Sequence, residues 1–555
     1  MNILKSIQLS RLKKLVALLY NSRDKKYLPI VITALVTFVV LLWFFWISVL
    51  PSSERIIPFV DEPASFLVVY YWLLATALLF AMPLFYYMIF VRRCELKKIF
   101  LVSAFVFGVL YMFVYLPHKW NDEPHAHIPG VYQRAAALLG RESFVEINEA
   151  GQRIGHWRHH EDFQFPFASA RSTVLGYYYV YSTLIGRANP SMPEGMMSEV
   201  RLHGMWYFYA PQVVGLAIGQ YLELSRVGAL YLGRLFALAA FIGIVYLAIS
   251  VSNFKTLFVL LGITPALLVP ATTFGYDSLI NALSFLFIAL IIDIAFSQKK
   301  QISNYQFFAI FVLGVLIAPY KYIYFPLLAL PLIIPKEQYT KYLKKTTVLP
   351  LLLLAGGLMI VVSGGAIDAI RNLLTQNQIS HMPTEVSGWR YATEYFRDRP
   401  ARFFAVFTHT FFYQAGNIFI QLRNWDWNWW VFPIWIHIII GFMLLASISP
   451  GIKDKDILLI STRQKTIIAF IAVAVYCLGI LAIMSMSSQG DFVLGRRMQP
   501  RYFVPIVPLL VIPFYNVFRR VKPNDRLMIF VLCIINAYGI IFYFTRSIFT
   551  DWVLS

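Results

Sequence analysis

The stretch LPIVITALVTFVVLLWFFWISVL, residues Leu28–Leu50, carries no charge along its whole length. A helix rises 1.5 Å per residue and the hydrocarbon core of a bilayer is about 30 Å thick, so about 20 apolar residues make one crossing. The run is too long for the apolar part of a cleavable signal and has no small-residue cleavage site, so it is expected to stay as a helix. Comparable runs recur at Phe66–Phe90, Ile99–Leu116, Leu230–Ser250, Leu279–Phe296, Thr347–Val362, Val431–Ser447, Ile467–Met486, Phe503–Phe518 and Leu527–Phe544. Shorter ones lie at Trp206–Leu222, Leu257–Pro270, Phe307–Ala318 and Tyr322–Ile334. The expected fold is all-α, a polytopic transmembrane bundle of about 11–14 helices by this length rule.

Composition agrees. Of 555 residues, 59% are hydrophobic and only 14% charged, against about 25% charged in an ordinary soluble domain. The net charge of +20 would suit nucleic acid only if it formed one basic face. Here the basic residues sit in short clusters between apolar runs: Lys5 to Lys26, Arg92-Arg93 with Lys97-Lys98, Lys299-Lys300, Lys336 to Lys345, Lys453 to Lys465 and Arg519 to Arg526. That pattern orients a membrane protein, with positive loops cytoplasmic. It makes the bilayer the expected partner and excludes nucleic acid as one. The cysteines, Cys94, Cys477 and Cys533, fall in or beside predicted helices. They form no disulfide framework and no thiolate zinc site.

The organisation follows. Residues 1–27 read as a basic cytoplasmic tail and 28–116 as three transmembrane helices. Residues 117–205 read as a long extracytoplasmic loop, with two or three short surface helices expected in it. Its aromatic content and few Ser/Pro/Gly runs argue against disorder. Residues 206–364 read as a bundle of short spans whose parity does not close. One segment within Leu257–Pro270 or Phe307–Ile334 must therefore be broken or half-spanning, which is tolerated where backbone lines a cavity. Residues 365–429 read as a second outer region with an interfacial helix, and 430–555 as C-terminal helices carrying an Arg-rich outer loop.

Five groups of residues could carry chemistry. Asn121-Asp122-Glu123-Pro124-His125-Ala126-His127 stands just outside the third helix. A carboxylate there can act as general base, or Asp122, Glu123, His125 and His127 can hold a divalent cation such as Mg2+ or Mn2+. His156, His159 and His160 form a second group, in which residues 156 and 160 would share one face of a helix. Tyr207-Phe208-Tyr209-Ala210-Pro211-Gln212, at the re-entry into the membrane, is an interface anchor or a sugar platform. Arg234, Asp277 and Lys321 are charges within or at the ends of apolar segments, where they must pair or face a polar cavity. For Arg234 and Asp277 the plain alternative is a buried pair. Last comes Gly495-Arg496-Arg497-Met498-Gln499-Pro500-Arg501-Tyr502-Phe503, three arginines outside against the positive-inside trend. A phosphate or pyrophosphate group, which Arg binds through a bidentate fork, would account for them.

The order of these features resembles the GT-C membrane glycosyltransferases. Asp122-Glu123-Pro124 with His125, and Arg501-Tyr502-Phe503-Val504-Pro505, look like a branch of predicted bacterial membrane proteins without assigned function; the resemblance covers roughly residues 100–520. It implies a bacterial inner-membrane enzyme that transfers a sugar, with inversion, from a polyprenyl-phosphate donor on the extracytoplasmic face. The acceptor would be a glycan, lipid or protein of the cell envelope. Asp122 would be the base, with Glu123 as alternative or partner. His125 or a divalent cation would hold the donor phosphate, and Arg496, Arg497, Arg501 and Lys321 would clamp it. Tyr209, Gln212, Arg234, Asp277 and Tyr502 would contact substrate. Two departures stand out. Two helices precede the one that aligns with the family's first, and an earlier Asp61-Glu62-Pro63 lacks the following His. A flippase of lipid-linked sugars, or a polymerase or ligase of surface polysaccharide, uses similar architecture and remains the alternative.

Overall fold

The computed structural model describes residues 27–50, 65–117, 127–140, 145–147, 153–157, 177, 195–196, 206–297, 301–339, 345–362, 396–421, 434–449, 458–486, 500–515, 517 and 524–553. It is a helix bundle. Seven described helices are long and apolar enough to cross a membrane, and five shorter apolar helices accompany them.

The first three are α1 (Leu28–Phe44), α2 (Ser65–Tyr86) and α3 (Leu96–Val114). The first two each end in one π-helical turn, Phe45–Val49 and Tyr87–Val91. Pro83 lies just ahead of the second; it lacks an N–H and so disturbs the regular ladder there. Burial ranks the spans. Only 11% of the most apolar part of α1 is buried, against 78% for Asp277–Phe296. The first therefore presents apolar side chains such as Leu35, Val39 and Trp46 outward, and the second is the central helix.

After α3 comes the region expected to lie outside the membrane. It contains α4 (Ile128–Leu138), one of the short helices expected there. Beyond that helix the described residues include three short strands that the sequence reading did not expect. Strands β1 (Val145–Ile147), β2 (Arg153–Trp157) and β3 (Gly195–Met196) form a small antiparallel sheet, with Val145 opposite Gly155 and His156 opposite Met196. Val145, Ile147, Ile154 and Trp157 are β-branched or aromatic, which favours a pleated surface over a helix. His156 thus lies on a strand, where residues four apart do not stack one turn above the other as they would on a helix; His159 and His160 fall outside the described residues.

The chain re-enters through a 3-10 turn (Trp206–Tyr209) and α5 (Ala210–Tyr221), which packs on α6 (Arg226–Val251). The approach is close. A Cβ on Gly215 would stand 2.6 Å from the Leu232 carbonyl oxygen, and one on Gly219 would stand 2.7 Å from Ala229 Cα. Small residues four apart give such contact between helices in a bilayer.

The expected break falls next. Leu257–Pro270 is split into α7 (Lys255–Gly262) and α8 (Pro265–Ala271). Pro265 starts the second piece, and the Ile263 carbonyl freed by the break accepts from Asn536 Nδ2 at 2.8 Å. Then come α9 (Asp277–Phe296), α10 (Asn304–Ile317) and a 3-10 helix over Tyr322–Ile333, where Pro326 and Pro331 prevent a regular α ladder. The bundle closes with α11 (Lys345–Val362), α12 (Pro400–Gln421), α13 (Ile434–Ser447) and α14 (Thr462–Met486). A 3-10 segment (Pro500–Ile506), α15 (Val507–Val511) and α16 (Asp525–Val553) end it.

Candidate functional site

Three segments far apart in the chain bring charged groups together at one end of α9. Asp277 is the first residue of that helix, where unpaired N–H groups and the helix dipole favour a carboxylate. Its Oδ1 accepts from Lys321 Nζ at 2.9 Å, and its Oδ2 lies 3.3 Å from Arg501 Nε. The side chains of Asp277, Lys321 and Arg501 are 7, 17 and 7% exposed. Lys321 comes from the extended residue that precedes the proline-interrupted 3-10 helix. Arg501 comes from the 3-10 segment that opens the next-to-last span. Among the described residues the cluster sets two cations against one carboxylate in a largely apolar setting. Such an arrangement favours a further anion.

Aromatic rings wall the cluster. Lys321 Nζ stands 3.7 Å from the Tyr502 ring centroid and 5.4 Å from that of Tyr276. A Tyr324 hydroxyl donates to the Tyr502 carbonyl at 2.9 Å and so fixes that segment. Tyr276 is the hub: His127, Tyr209, Phe208 and Tyr320 lie with ring centroids 5.4, 5.6, 5.6 and 5.8 Å from it. Phe208 stacks on Tyr320 at 3.5 Å. A 2.8 Å hydrogen bond joins His127 Nδ1 to the Tyr209 hydroxyl, and the Arg134 guanidinium lies 5.1 Å from the Tyr209 ring. Burial pulls the Arg134 pKa below its ordinary value. Gln212 Nε2 donates to the Gly275 carbonyl at 3.2 Å, two residues ahead of Asp277.

Behind the site the exit of α3 is pinned. The last carbonyls of a helix have no partner within it. Here four in succession are met by side chains. Arg234 donates to Met112 at 3.2 Å and to Tyr115 at 2.6 Å, Tyr70 donates to Phe113 at 2.6 Å, and Tyr177 donates to Val114 at 2.7 Å. Arg234 Nε also donates to the Thr272 carbonyl. One fully buried guanidinium therefore ties the end of α3 to the turn that leads to Asp277. A cation at a helix C-terminus is also favoured by the dipole.

Set against the sequence, the structure brings together His127, Tyr209, Gln212, Asp277, Lys321, Arg501 and Tyr502. Arg234 is not paired with Asp277, and its nitrogens engage main-chain carbonyls, so its place is behind the site and not in it. Asp122, Glu123, His125, Arg496 and Arg497 lie outside the described residues. Of the proposed cation ligands, His127 alone is described; with Nδ1 on Tyr209, it could meet a cation only through Nε2. Among the described residues no three His, Cys, Asp or Glu side chains gather into a metal site. Tyr276, Tyr320, Tyr324 and Arg134 were not singled out. Tyr276 could have been, because it directly precedes an intramembrane acid; the others carry no signal in the sequence that separates them from ordinary interface aromatics.

Fold and site together define a multi-pass membrane protein with a buried ionic cluster where several chain segments meet. The chain belongs to the family described as Predicted membrane protein (DUF2142), whose model matches residues 206–510, more than half of the chain. That stretch contains Tyr209, Gln212, Arg234, Asp277, Lys321 and Arg501, but not the 121–127 turn. No curated protein and no solved structure matches the chain.

Proposed function

We propose that the protein is a GT-C-type glycosyltransferase that uses a polyprenyl-phosphate sugar and works on the extracytoplasmic face of the bacterial inner membrane. The observation that carries this reading is the convergence of Lys321, Arg501 and His127 around Asp277 and Tyr276. His127 follows Asp122 by five residues in the chain and Arg501 follows Arg497 by four, which supports assigning the acidic and arginine-rich segments to one site.

In the transfer, Asp122 accepts the proton of an acceptor hydroxyl as that oxygen attacks the anomeric carbon. The bond from that carbon to the phosphate oxygen breaks, and polyprenyl phosphate departs with the electron pair. Glu123 is the alternative base. Charge grows on the departing phosphate, and fixed cations that meet it lower the barrier. Lys321 and Arg501 supply such cations, already oriented by Asp277, and Arg496, Arg497 and His125 belong to the same donor-binding set. The acceptor is a glycan, lipid or protein of the envelope.

The test uses membranes containing the full chain and a radiolabelled polyprenyl-phosphate hexose. Label should pass to an envelope acceptor, and Asp122→Ala should abolish transfer while the protein inserts at normal abundance. Undiminished transfer by that variant overturns the assignment of the base. Transfer only from a pyrophosphate-linked oligosaccharide makes the protein a polymerase or ligase. Movement of the lipid-linked sugar across the bilayer without bond formation makes it a flippase.

A further inference from the structure

Helix α9 is one of the most apolar in the bundle, yet one face is polar below Asp277. Asn281 and Ser284 follow it at four and seven residues, which places all three within a narrow arc of the helix surface. Asn281 is 1% and Ser284 0% exposed. Neither amide atom of Asn281 and not the Ser284 hydroxyl has a hydrogen-bond partner.

Five other buried hydroxyls differ, whereas the buried Thr410 hydroxyl shares the condition of Ser284. Ser103 donates to the Ile99 carbonyl, Thr264 to Leu261, Thr272 to Val269, Thr273 to Pro270 and Thr545 to Ile541, each at 2.7–2.9 Å. That local bond is the ordinary way for a small polar side chain to be satisfied in an apolar helix. Ser284 does not take it. Asn281 does not take it either, although Asn536 donates in the same way to the Leu532 carbonyl at 2.8 Å. In a bilayer interior an unmet polar group is strongly disfavoured, and the usual partners are ordered water or a ligand. The same condition recurs beside the cluster, where Gln212 Oε1 and the buried Tyr320 hydroxyl also lack partners.

We infer that Asn281 and Ser284 line a polar cleft that continues the Asp277 site about 10 Å into the bundle, at 1.5 Å per helical residue, and that it takes a neutral hydroxyl-bearing head group. Its naming as the sugar of a prenyl-phosphate donor rests on the glycosyltransfer reading; the existence of the cleft does not. The division of labour is chemical. Lys321 and Arg501 are suited to the phosphate, whereas an amide and a hydroxyl are suited to sugar hydroxyls, which both donate and accept.

Two measurements test this on the full chain. In a background carrying Cys94→Ala, Cys477→Ala and Cys533→Ala, Ser284→Cys and Ala282→Cys are exposed in membranes to a charged methanethiosulfonate reagent, which needs water to reach a thiol. Ala282 is equally buried at similar depth but on another face. Ser284→Cys should react at least about tenfold faster; equal, slow reaction at both positions overturns the cleft. Binding of a short-chain prenyl-phosphate hexose and of the bare prenyl phosphate is then compared. Asn281→Leu and Ser284→Ala should each weaken the sugar-bearing lipid about tenfold, the loss expected for one neutral hydrogen bond. Both should leave the bare phosphate unchanged, whereas Lys321→Met should weaken both lipids. Wild-type affinity of both variants for both lipids means that the cleft holds water alone and overturns the ligand assignment. If the wild-type protein binds neither lipid, the donor reading falls, and the ligand named here falls with it; the labelling still decides whether the cleft exists.

Discussion

Lys321 Nζ lies 2.9 Å from Asp277 Oδ1 and at the same time 3.7 Å from the Tyr502 ring centroid, so one ammonium joins a carboxylate, an aromatic face and two distant chain segments. Arg501 shares the carboxylate from its other side. The asymmetry of this trio, two cations to one anion, makes its members unequal in substitution. Removing one partner of a buried ion pair costs about 3–5 kcal/mol, because the remaining charge is left uncompensated. Asp277→Leu strands two cations and should lower thermal stability in detergent by an amount of that order. Lys321→Met keeps Arg501 against Asp277 and should cost far less. Equal melting temperatures for the two variants would contradict the charge balance described here.

The lipid-phosphate reading makes the opposite ranking for ligand. Lys321→Met, though mild in stability, should remove one of the cluster's two described cations and reduce binding of prenyl phosphate. Charge-assisted contacts to phosphate are the strong ones, so a loss of about tenfold or more is expected by titration calorimetry or a fluorescence displacement assay. Arg501→Lys should retain part of the affinity and Arg501→Leu almost none. If binding follows stability across this series, the cluster is structural and the anion site is elsewhere.

Much of this was legible in the chain, and the reasons differ by level. The spans were visible because a bilayer demands about 20 apolar residues, and Leu28–Leu50 or Leu279–Phe296 satisfy that with no ambiguity. The break in 257–270 was visible through parity and Pro265. Asp277 and Lys321 were visible because charge in an apolar segment needs a reason, and Arg501 because arginines outside run against the positive-inside trend. Which charges meet was not visible. Nothing local in the sequence separates Arg234, which holds three main-chain carbonyls on two segments, from Arg501, which faces the carboxylate. The β1–β3 sheet was missed because its strands are only two to five residues long and sit in a polar loop, where periodicity has too few residues to register.

Arg234 gives the sharpest test of positioning. Its three nitrogens donate to Thr272, Met112 and Tyr115. Hydrogen bonds from charged groups contribute about 1.5–3 kcal/mol each, so Arg234→Leu should be among the most destabilising single changes in the bundle. Arg234→Lys should not rescue it, since one compact ammonium cannot span carbonyls on two chain segments as a planar fork does. Tyr177→Phe releases the Val114 carbonyl and should cost about 1–3 kcal/mol for the unmet group. Thermal unfolding of the three variants checks the order; a rescue by lysine would show that charge alone, and not geometry, holds the helix exit.

The junction of α5 with α6 fixes where the Tyr207–Gln212 aromatics stand, and glycine makes that junction possible. At Gly215 the obstacle to any side chain is backbone, the Leu232 carbonyl at 2.6 Å and Gly233 Cα at 2.9 Å, so no rotamer change can relieve it. Gly243 on the next helix is the natural comparison, because a Cβ there meets nothing within 4 Å. Overpacking typically costs about 1–3 kcal/mol where neighbours can adjust. Gly215→Val should cost more than that, displace Tyr209 from His127 and so reduce ligand binding as well as stability. Gly243→Ala should be neutral or slightly stabilising, since alanine is the better helix former by about 1 kcal/mol. Melting curves and prenyl-phosphate binding on the pair decide it: a Gly215 variant that melts and binds like wild type would mean that α5 can move away from α6 without disturbing the Tyr276 hub, and the site would then owe its geometry to the ionic trio alone.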